Sequence, residues 1–211
     1  MYDLIIKNGL VVDGTGNPWY RADVGIEDGR ITNIGVLPSA KSREALDAKG
    51  LIVAPGFIDM HTHSELSLLV NPRAESKVRQ GITTEVVGNC GLSAAPLNDL
   101  LKEEMGKTYP ILGDAKLRLE WSTIDEYLKK LGERGAAQNV ATLVGNGNLR
   151  MLAMGFEARA PKGDELAEMK RALAQALEEM VVGGKDPVQA LDDAAARANK
   201  ELQDYNRRVG E

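Results

Sequence analysis

Both histidines of this 211-residue chain fall in one tripeptide, His61-Thr62-His63. Side chains alternate along an extended strand, so His61 and His63 project from the same face with Cα atoms roughly 6.5 to 7 Å apart. Two imidazoles at this separation can bind one metal ion. Solvated loop histidines are the alternative, but the preceding run at 51–60 is apolar on both faces except for Asp59, which predicts a buried strand that would hold the rings rigidly. The spacing therefore favours a metal site.

The single cysteine, Cys90, lies in Gly88-Asn89-Cys90-Gly91 at the end of a second predicted strand, 82–91. If both strands belong to one parallel sheet, the thiol reaches the same edge of the sheet as the histidine pair. Three protein ligands plus a water molecule make the usual open zinc site. A small buried cysteine that packs as an apolar residue is the alternative, and the spacing alone leaves both interpretations open.

Further polar residues lie close to these positions. Asp59 shares a strand face with His61 and could orient an imidazole through its second nitrogen, or make a turn or capping contact. Glu65 and Glu85 are carboxylates near the same edge whose orientation the sequence does not fix, so no role is assigned to them. The glycine-rich segment after the third predicted strand could approach a ligand or form a tight strand-to-helix turn, and its polar residues are Asn146, Asn148 and Arg150.

Several classes of function are excluded by what the chain lacks. It has no serine-centred elbow, phosphate-binding glycine loop or CxxC pair, so serine-nucleophile, nucleotide and redox chemistry have no support. A formal charge of −5 with scattered Lys and Arg gives no basic stripe for nucleic acid. With neither a long apolar run nor a charged-then-apolar leader, we expect a cytoplasmic protein with no membrane span.

The order of predicted elements indicates an α/β protein. Residues 1–50 are predicted to form small β-hairpins, with tight turns at Asn8-Gly9 and Asp28-Gly29. After them, strands and helices alternate, which is typical of a parallel sheet covered by helices. The predicted strands cover 51–60, 82–91 and 139–147, and the predicted helices lie at 75–81, after Trp121 with a capping box of Ser122 and Asp125, from Asp164, and as an amphipathic helix over 183–211.

Four motifs carry a resemblance to a known family: YDLIIKNGLVVDGTG, APGFIDMHTHSE, GITTEVVGNCGLSAAP and LVGNGNLRMLAMGFEARAP. From residue 1 to about 180 the chain resembles the amidohydrolase superfamily, specifically its N-acyl-D-amino-acid deacylase (D-aminoacylase) branch. The GNCG motif separates this branch from hydantoinases and dihydroorotases. The last 30 residues instead weakly resemble the C-terminal helix of sugar-binding proteins from bacterial uptake transporters, through their helix-forming composition.

The resemblance implies a fold in three parts. Residues 1–50 would form a small β-sandwich-type domain. Residues 51–182 would form the first units of an incomplete metal-dependent (β/α) TIM-like barrel, whose open strand edges favour oligomerisation or a partner chain. Residues 183–211 would form an extra C-terminal helix of different origin.

The resemblance also implies zinc-dependent hydrolysis of the amide bond of N-acyl-D-amino acids, with His61, His63 and Cys90 as metal ligands. The family's general-base aspartate and two further histidines have no counterpart after His63, so the catalytic residue is unknown. Asn146 stands where many relatives have a histidine. The alternative function is therefore that of a truncated or hybrid chain without activity, which at most binds a metal or a partner chain.

Overall fold

A computed structural model describes residues 1–38, 41–108 and 117–180 of the chain. The chain divides into two compact units, Met1–Phe57 and a second that begins at Ile58. The first unit is built on a β-sheet, and the second combines a β-sheet with helices. The fold is therefore mixed α/β, as the order of predicted elements indicated.

The first unit contains a sheet of five strands: β1 (Tyr2–Val11), β2 (Tyr20–Glu27), β3 (Arg30–Gly35), β4 (Ser42–Asp47) and β5 (Ile52–Val53). β1 pairs antiparallel with β2 and parallel with β4 and β5, and β3 pairs antiparallel with β2. Val11, Ala22 and Val24 form its buried apolar cluster. The tight turn predicted at Asp28-Gly29 is confirmed and joins β2 to β3.

The turn predicted at Asn8-Gly9 is wrong, because the chain continues through both residues as one strand, β1. Asn8 has a left-handed φ of 62°, but it produces an irregularity in the pairing of β1 with β2 instead of a reversal. Asp23 Oδ1 accepts the Asn8 N–H at 2.9 Å. Gly9 is required because a Cβ there would lie 2.5 Å from Val53 Cγ2.

The second unit contains a three-stranded sheet in the order β6 (Phe57–Asp59), β7 (Ile82–Val87) and β8 (Asn139–Thr142). Its described helices are α1 (Ser67–Val70), α2 (Glu75–Val78), α3 (Asp99–Thr108), α4 (Ile124–Arg134), α5 (Asn146–Met154) and α6 (Gly163–Met180). β7 and β8 are parallel, so the loops that follow them leave from the same edge of the sheet. Strands and helices alternate along this unit, as the sequence predicted, but the strands predicted at 82–91 and 139–147 end earlier, at Val87 and Thr142.

The strand predicted at 51–60 is wrong in both extent and burial. A break around Pro55 divides the run into β5, which pairs with β1, and β6, which lies beside β7. Proline has no N–H to donate to a sheet, which explains the break. Phe57 and Ile58 are 62% and 58% exposed, so the described residues leave these apolar side chains largely uncovered.

The main apolar core of the second unit packs around α4. Trp121, Ile124 and Tyr127 are buried in this core. Trp121 Nε1 donates to the carbonyl of Ala94 at 2.8 Å, and the Tyr127 hydroxyl donates to the carbonyl of Glu65 at 3.0 Å. Tyr127 on α4 therefore anchors the loop after β6, and Trp121, just before α4, anchors the loop after β7.

The start of α4 differs by one residue from the sequence prediction. Thr123 is the N-cap instead of Ser122, and Glu126 completes the capping box instead of Asp125. Thr123 Oγ1 accepts the Glu126 N–H at 3.2 Å, and Glu126 Oε2 accepts the Thr123 N–H at 3.1 Å. A glutamate at this position reaches back to the N-cap amide, which is the reciprocal contact of a capping box.

Of the last two predicted helices, only the first lies within the described residues. The helix predicted from Asp164 is confirmed as α6, which begins one residue earlier, at Gly163. The amphipathic helix predicted over 183–211 lies outside the described residues.

Within the described part of the chain, no helix combines the length and apolar character needed to cross a membrane.

The start of α6 is held by Glu165. Both guanidinium Nη atoms of Arg159 donate to its carboxylate, at 2.7 and 2.6 Å, and the Lys162 N–H donates to it at 2.6 Å. These contacts, with the Arg159 hydrogen bonds contributing most, lower the pKa of Glu165 from 4.5 to about 2. The carboxylate thus stabilises the folded chain in its charged form.

Because the pKa of Glu165 is lower in the folded chain, its stabilisation is fully present above about pH 4.5 and is lost as the pH falls toward about 2. We expect Glu165→Gln to lower the Tm at neutral pH, and its difference from wild type to shrink through that window. Thermal unfolding followed by circular dichroism measures this, with the exposed Glu178→Gln on the same helix as control. A Glu165→Gln difference that does not change with pH would contradict the assignment.

Candidate metal centre

Three side chains that could bind a metal converge in the second unit. His61 and His63 follow β6, and Cys90 follows β7. Their ligand atoms all lie within 4.8 Å of one another, and His61 Nε2 lies 3.1 Å from Cys90 Sγ. The two imidazole rings meet edge to face with centroids 5.7 Å apart. The structure therefore brings together the three residues that the sequence singled out.

The Cys90 side chain extends from a turn with an unusual backbone. Cys90 has φ 56°, between Gly88 at 85° and Gly91 at 81°. A left-handed conformation costs a non-glycine residue roughly 1 to 2 kcal/mol, so other contacts must maintain it. Gly88 is also required for packing, because a Cβ there would lie 2.4 Å from the carbonyl oxygen of Leu143.

The glycine-rich segment after β8 holds this turn. Gly147 donates its N–H to the Gly91 carbonyl at 2.7 Å. A Cβ on either Gly145 or Gly147 would lie 2.5 Å from the same oxygen. Gly145 is the N-cap of α5, so the segment forms the strand-to-helix turn that the sequence left open. Its glycines permit two backbones to touch beside Cys90.

Asn148 and Ser93 fix the loop that follows Cys90. The buried Asn148 side chain accepts the Ser93 N–H at 3.0 Å and donates to the carbonyls of Ser93 and Pro96 at 2.9 and 3.2 Å. Ser93 Oγ accepts the Gly145 N–H at 2.9 Å and donates to the Ala95 carbonyl at 2.5 Å. The polar atoms of both side chains are therefore used within the protein.

Glu65, to which the sequence assigned no role, connects the two ligand-bearing loops. Its Oε1 accepts the Gly88 N–H at 2.7 Å and lies 3.7 Å from His63 Nδ1. A carboxylate beside Nδ1 favours the tautomer with the proton on that nitrogen, which leaves Nε2 to bind a metal. The Glu65 backbone is held in turn by the buried hydroxyl of Tyr127.

Asp59 positions the histidine tripeptide through its backbone. It accepts the His61 N–H at 3.2 Å and forms an ion pair with Lys77, so of the two roles that the sequence left open it has the turn contact and not the contact with the imidazole. Lys77 also donates to Thr62 Oγ1 at 2.9 Å. The hydrogen bonds from Lys77 and from the His61 N–H hold the pKa of Asp59 below its ordinary value. Nothing in the sequence linked Lys77 to this site.

The remaining polar residues near the strand ends do not join the three ligands. Glu85 is fully buried, and neither carboxylate oxygen has a hydrogen-bond partner among the described residues. Burial, with the nearby charges of Glu65 and Glu85, raises the pKa of Tyr127. Asn146 is exposed, and Arg150 donates to backbone carbonyls of the loop after α5.

The three converging groups fit a zinc ion. Imidazole nitrogen and cysteine sulfur are the ligands zinc prefers, and two ligands of one tetrahedral zinc lie about 3.3 to 3.6 Å apart when each bond has its usual length. His61 Nε2 and Cys90 Sγ lie 3.1 Å apart, and no two ligand atoms of the three residues lie more than 4.8 Å apart. These two values lie on either side of the range expected for zinc. All three residues are exposed, so a water molecule or substrate can reach the remaining position.

The profile of the family described as "Amidohydrolase family" matches residues 44–209, and the chain belongs to that family. It is 45% identical over 181 residues to N-acyl-D-glutamate deacylase of Alcaligenes xylosoxydans xylosoxydans, covering 86% of this chain and 36% of that protein. It is 37% identical over 190 residues to D-aminoacylase of the same organism, covering 86% and 37%. The resemblance of residues 1 to about 180 to the amidohydrolase superfamily and its N-acyl-D-amino-acid deacylase branch is confirmed.

A solved structure shows the same fold. N-acyl-D-glutamate deacylase from Bordetella bronchiseptica, complexed with zinc and a phosphonate that mimics the tetrahedral intermediate, matches with a TM-score of 0.73 and 43% identity. The match covers 84% of this chain and 36% of that one. The chain therefore spans little more than a third of the length of its relatives.

We expect Gly145→Ala to destabilise the Cys90 turn. Gly145 has φ −71° and ψ 122°, which alanine adopts freely, so the effect comes from the new Cβ beside the Gly91 carbonyl. Overpacking of this kind costs about 1 to 3 kcal/mol in the free energy of unfolding. Chemical denaturation measures the loss. The control is Gly132→Ala in α4, where a Cβ meets nothing within 4 Å and should stabilise the helix. Equal effects of the two variants would contradict the assignment.

We expect Glu85→Leu to raise the free energy of unfolding by about 1 to 3 kcal/mol, because it removes a buried carboxylate that no described residue hydrogen-bonds. Glu85→Gln keeps the buried polar atoms but removes the charge, so it should give a smaller gain. Chemical denaturation measures both, with the exposed Glu44→Leu on β4 as control. A large loss of stability in Glu85→Leu would show that the carboxylate has a partner.

Proposed function

We propose that this chain carries the metal-binding part of a hydrolase that cleaves the amide bond of N-acyl-D-amino acids. The observation that carries the proposal is the convergence of His61, His63 and Cys90 in a member of the amidohydrolase family. Relatives named N-acyl-D-glutamate deacylase and D-aminoacylase support the substrate class. Zinc in the Bordetella bronchiseptica structure supports zinc as the metal.

The proposal extends to the architecture. Residues 51–182 would form the first units of an incomplete TIM-like (β/α) barrel, preceded by a β-sandwich-type domain at 1–50 and followed by a segment of different origin at 183–211. Parallel pairing of β7 with β8 supports the barrel, as do ligands that follow the strands, where the active sites of such barrels lie. The family match extends to residue 209 and so includes most of the segment for which a separate origin is proposed.

Each residue of the site has a definite task in this proposal. His61, His63 and Cys90 hold the zinc ion, the cysteine as its thiolate. Zinc, when bound, supplies Lewis-acid chemistry that activates a water molecule and polarises the amide carbonyl. Glu65 keeps the His63 ring in the tautomer that can bind, and the Asp59–Lys77 pair fixes the backbone between the two histidines.

The composition of the site supports a second candidate function, that of a metal-binding chain without turnover of its own. Hydrolysis also needs a general base, and the converging cluster of described residues contains no carboxylate. Glu65, the acidic residue beside His63, already accepts the Gly88 N–H. The exposed apolar side chains of Phe57 and Ile58 fit a further polypeptide segment, from a partner chain or a second copy.

We expect purified chain to contain close to one zinc ion per monomer, and both His61→Ala and Cys90→Ser to lose it. Each substitution removes one of three ligands, which leaves too few to retain the ion. Elemental analysis under reducing conditions, with the elution volume recorded, measures the content. Asn146→Ala is the control, because this exposed residue lies near the site without joining the cluster. A folded wild-type chain without zinc would refute the metal site.

Turnover separates the two candidate functions. We expect the zinc-loaded chain to release no D-methionine from N-acetyl-D-methionine, because the converging cluster of described residues contains no carboxylate to act as a general base and the nearby Glu65 already accepts the Gly88 N–H. The release of free amine, followed over time, measures this. Turnover that disappears in the His61→Ala, His63→Ala double variant would establish that this chain is itself the deacylase.

A further inference from the structure

A cavity of about 260 Å³ lies directly beside the candidate metal centre, within the second unit. His63 and Glu65 form one wall. The remaining walls are mainly apolar and come from the loop after β7, from α3 and from α5, including Leu101, Met105 and Met151. Phe156, also in the lining, is 60% exposed and so lies at the mouth. The cavity is therefore an apolar recess that begins at a metal ligand.

The polar residues in the lining do not call for a polar occupant. Ser93 and Asn148 are buried and hydrogen-bond to each other and to loop carbonyls. Glu65 accepts the Gly88 N–H, and Glu104 forms an ion pair with Lys107 at 2.9 Å. A group that enters the cavity thus meets apolar side chains without having to satisfy a buried donor or acceptor.

The charge of the lining excludes part of the substrate. Two carboxylates, Glu65 and Glu104, line the cavity, and the described lining residues include no Lys or Arg. An N-acyl-D-amino acid carries its own α-carboxylate, and an acidic side chain adds a second. Neither anion is favoured in an apolar recess beside like charges. An unsubstituted acyl chain is uncharged and so fits the recess.

We propose that this cavity binds the acyl chain of the substrate. The inference rests on the proposed function, because the acyl chain is attached to the carbonyl carbon that the metal centre would act on. That bond places the first methylene next to His63, which forms part of one wall of the recess. Because an apolar cavity of about 150 Å³ accepts benzene, about 260 Å³ accommodates a chain of about six to eight carbons.

The proposal is tested by comparing the affinities of two isomeric ligands that differ only in where their methylene groups are placed. N-pentanoyl-D-alanine and N-acetyl-D-norleucine contain the same atoms, but three methylenes move from the acyl chain to the side chain. Each buried methylene strengthens binding roughly fourfold, so the zinc-loaded chain should bind the pentanoyl isomer at least about tenfold more tightly by isothermal titration calorimetry. Equal binding, or tighter binding of the norleucine isomer, would overturn the proposal.

A filled-cavity variant assigns the effect to this recess. Met105→Trp places a larger side chain into the cavity and should abolish the preference for the pentanoyl isomer while zinc content is unchanged. Leu100→Trp is the matched control, because Leu100 lies on the same helix, is 45% exposed and does not line the cavity. A preference that survives Met105→Trp would place the acyl chain elsewhere and overturn the proposal.

Failure of the metal site and failure of the cavity can be told apart. If the chain binds no zinc, the proposed function fails, and the cavity is then tested on metal-free chain with hexan-1-ol as the probe. Shifts of the Met105 and Met151 methyl resonances on titration would support an apolar site of this size. Unshifted resonances of both methionines would overturn the inference whether or not zinc binds.

Discussion

The hydrogen bond from the Gly147 N–H to the Gly91 carbonyl is the contact on which the candidate site depends. It joins the turn after β7 to the turn after β8, at a distance that only glycine permits at 145 and 147. The turn it supports carries Cys90 in a left-handed conformation, which the residue would leave if it were unsupported. The thiol therefore reaches His61 because two backbones touch nearby.

The histidine side of the site depends on the helical core in a similar way. Tyr127 on α4 holds the Glu65 backbone, and the Glu65 carboxylate contacts both Gly88 and the edge of His63. One carboxylate thus links a helix, the cysteine turn and a histidine ring. Glu85, on the neighbouring strand, is buried near the same tyrosine without a described partner, so burial alone does not decide whether a carboxylate supports the site.

The sequence was sufficient to single out the three converging residues and insufficient for the contacts that support them. His61 and His63 could be found because their spacing after an apolar run is a local feature, whereas the spacing of Cys90 left its role open and only the family resemblance singled it out. Glu65 and Lys77 act across loops, over separations of 23 and 18 residues, which no periodic pattern records.

The fold prediction failed where local and tertiary preferences diverge. The Asn8-Gly9 pair took the positive φ expected of a turn, but strand pairing on both sides of β1 kept the chain extended. The run at 51–60 was predicted to be buried because it is apolar, although the described residues leave Phe57 and Ile58 exposed.

That exposure bears on what the described part of the chain can do. Tyr127 on α4 holds the Glu65 backbone and Glu65 lies beside the His63 ring, so the contacts that orient the converging residues are present among the described residues. The exposed apolar residues of β6 immediately precede the histidines, and a segment packed on them would lie beside the metal. In the proposed function, such a segment would be one place for the general base, which must lie within hydrogen-bond reach of the reacting water. Metal binding therefore depends on contacts that the described residues already make, and catalysis on a surface that they leave exposed.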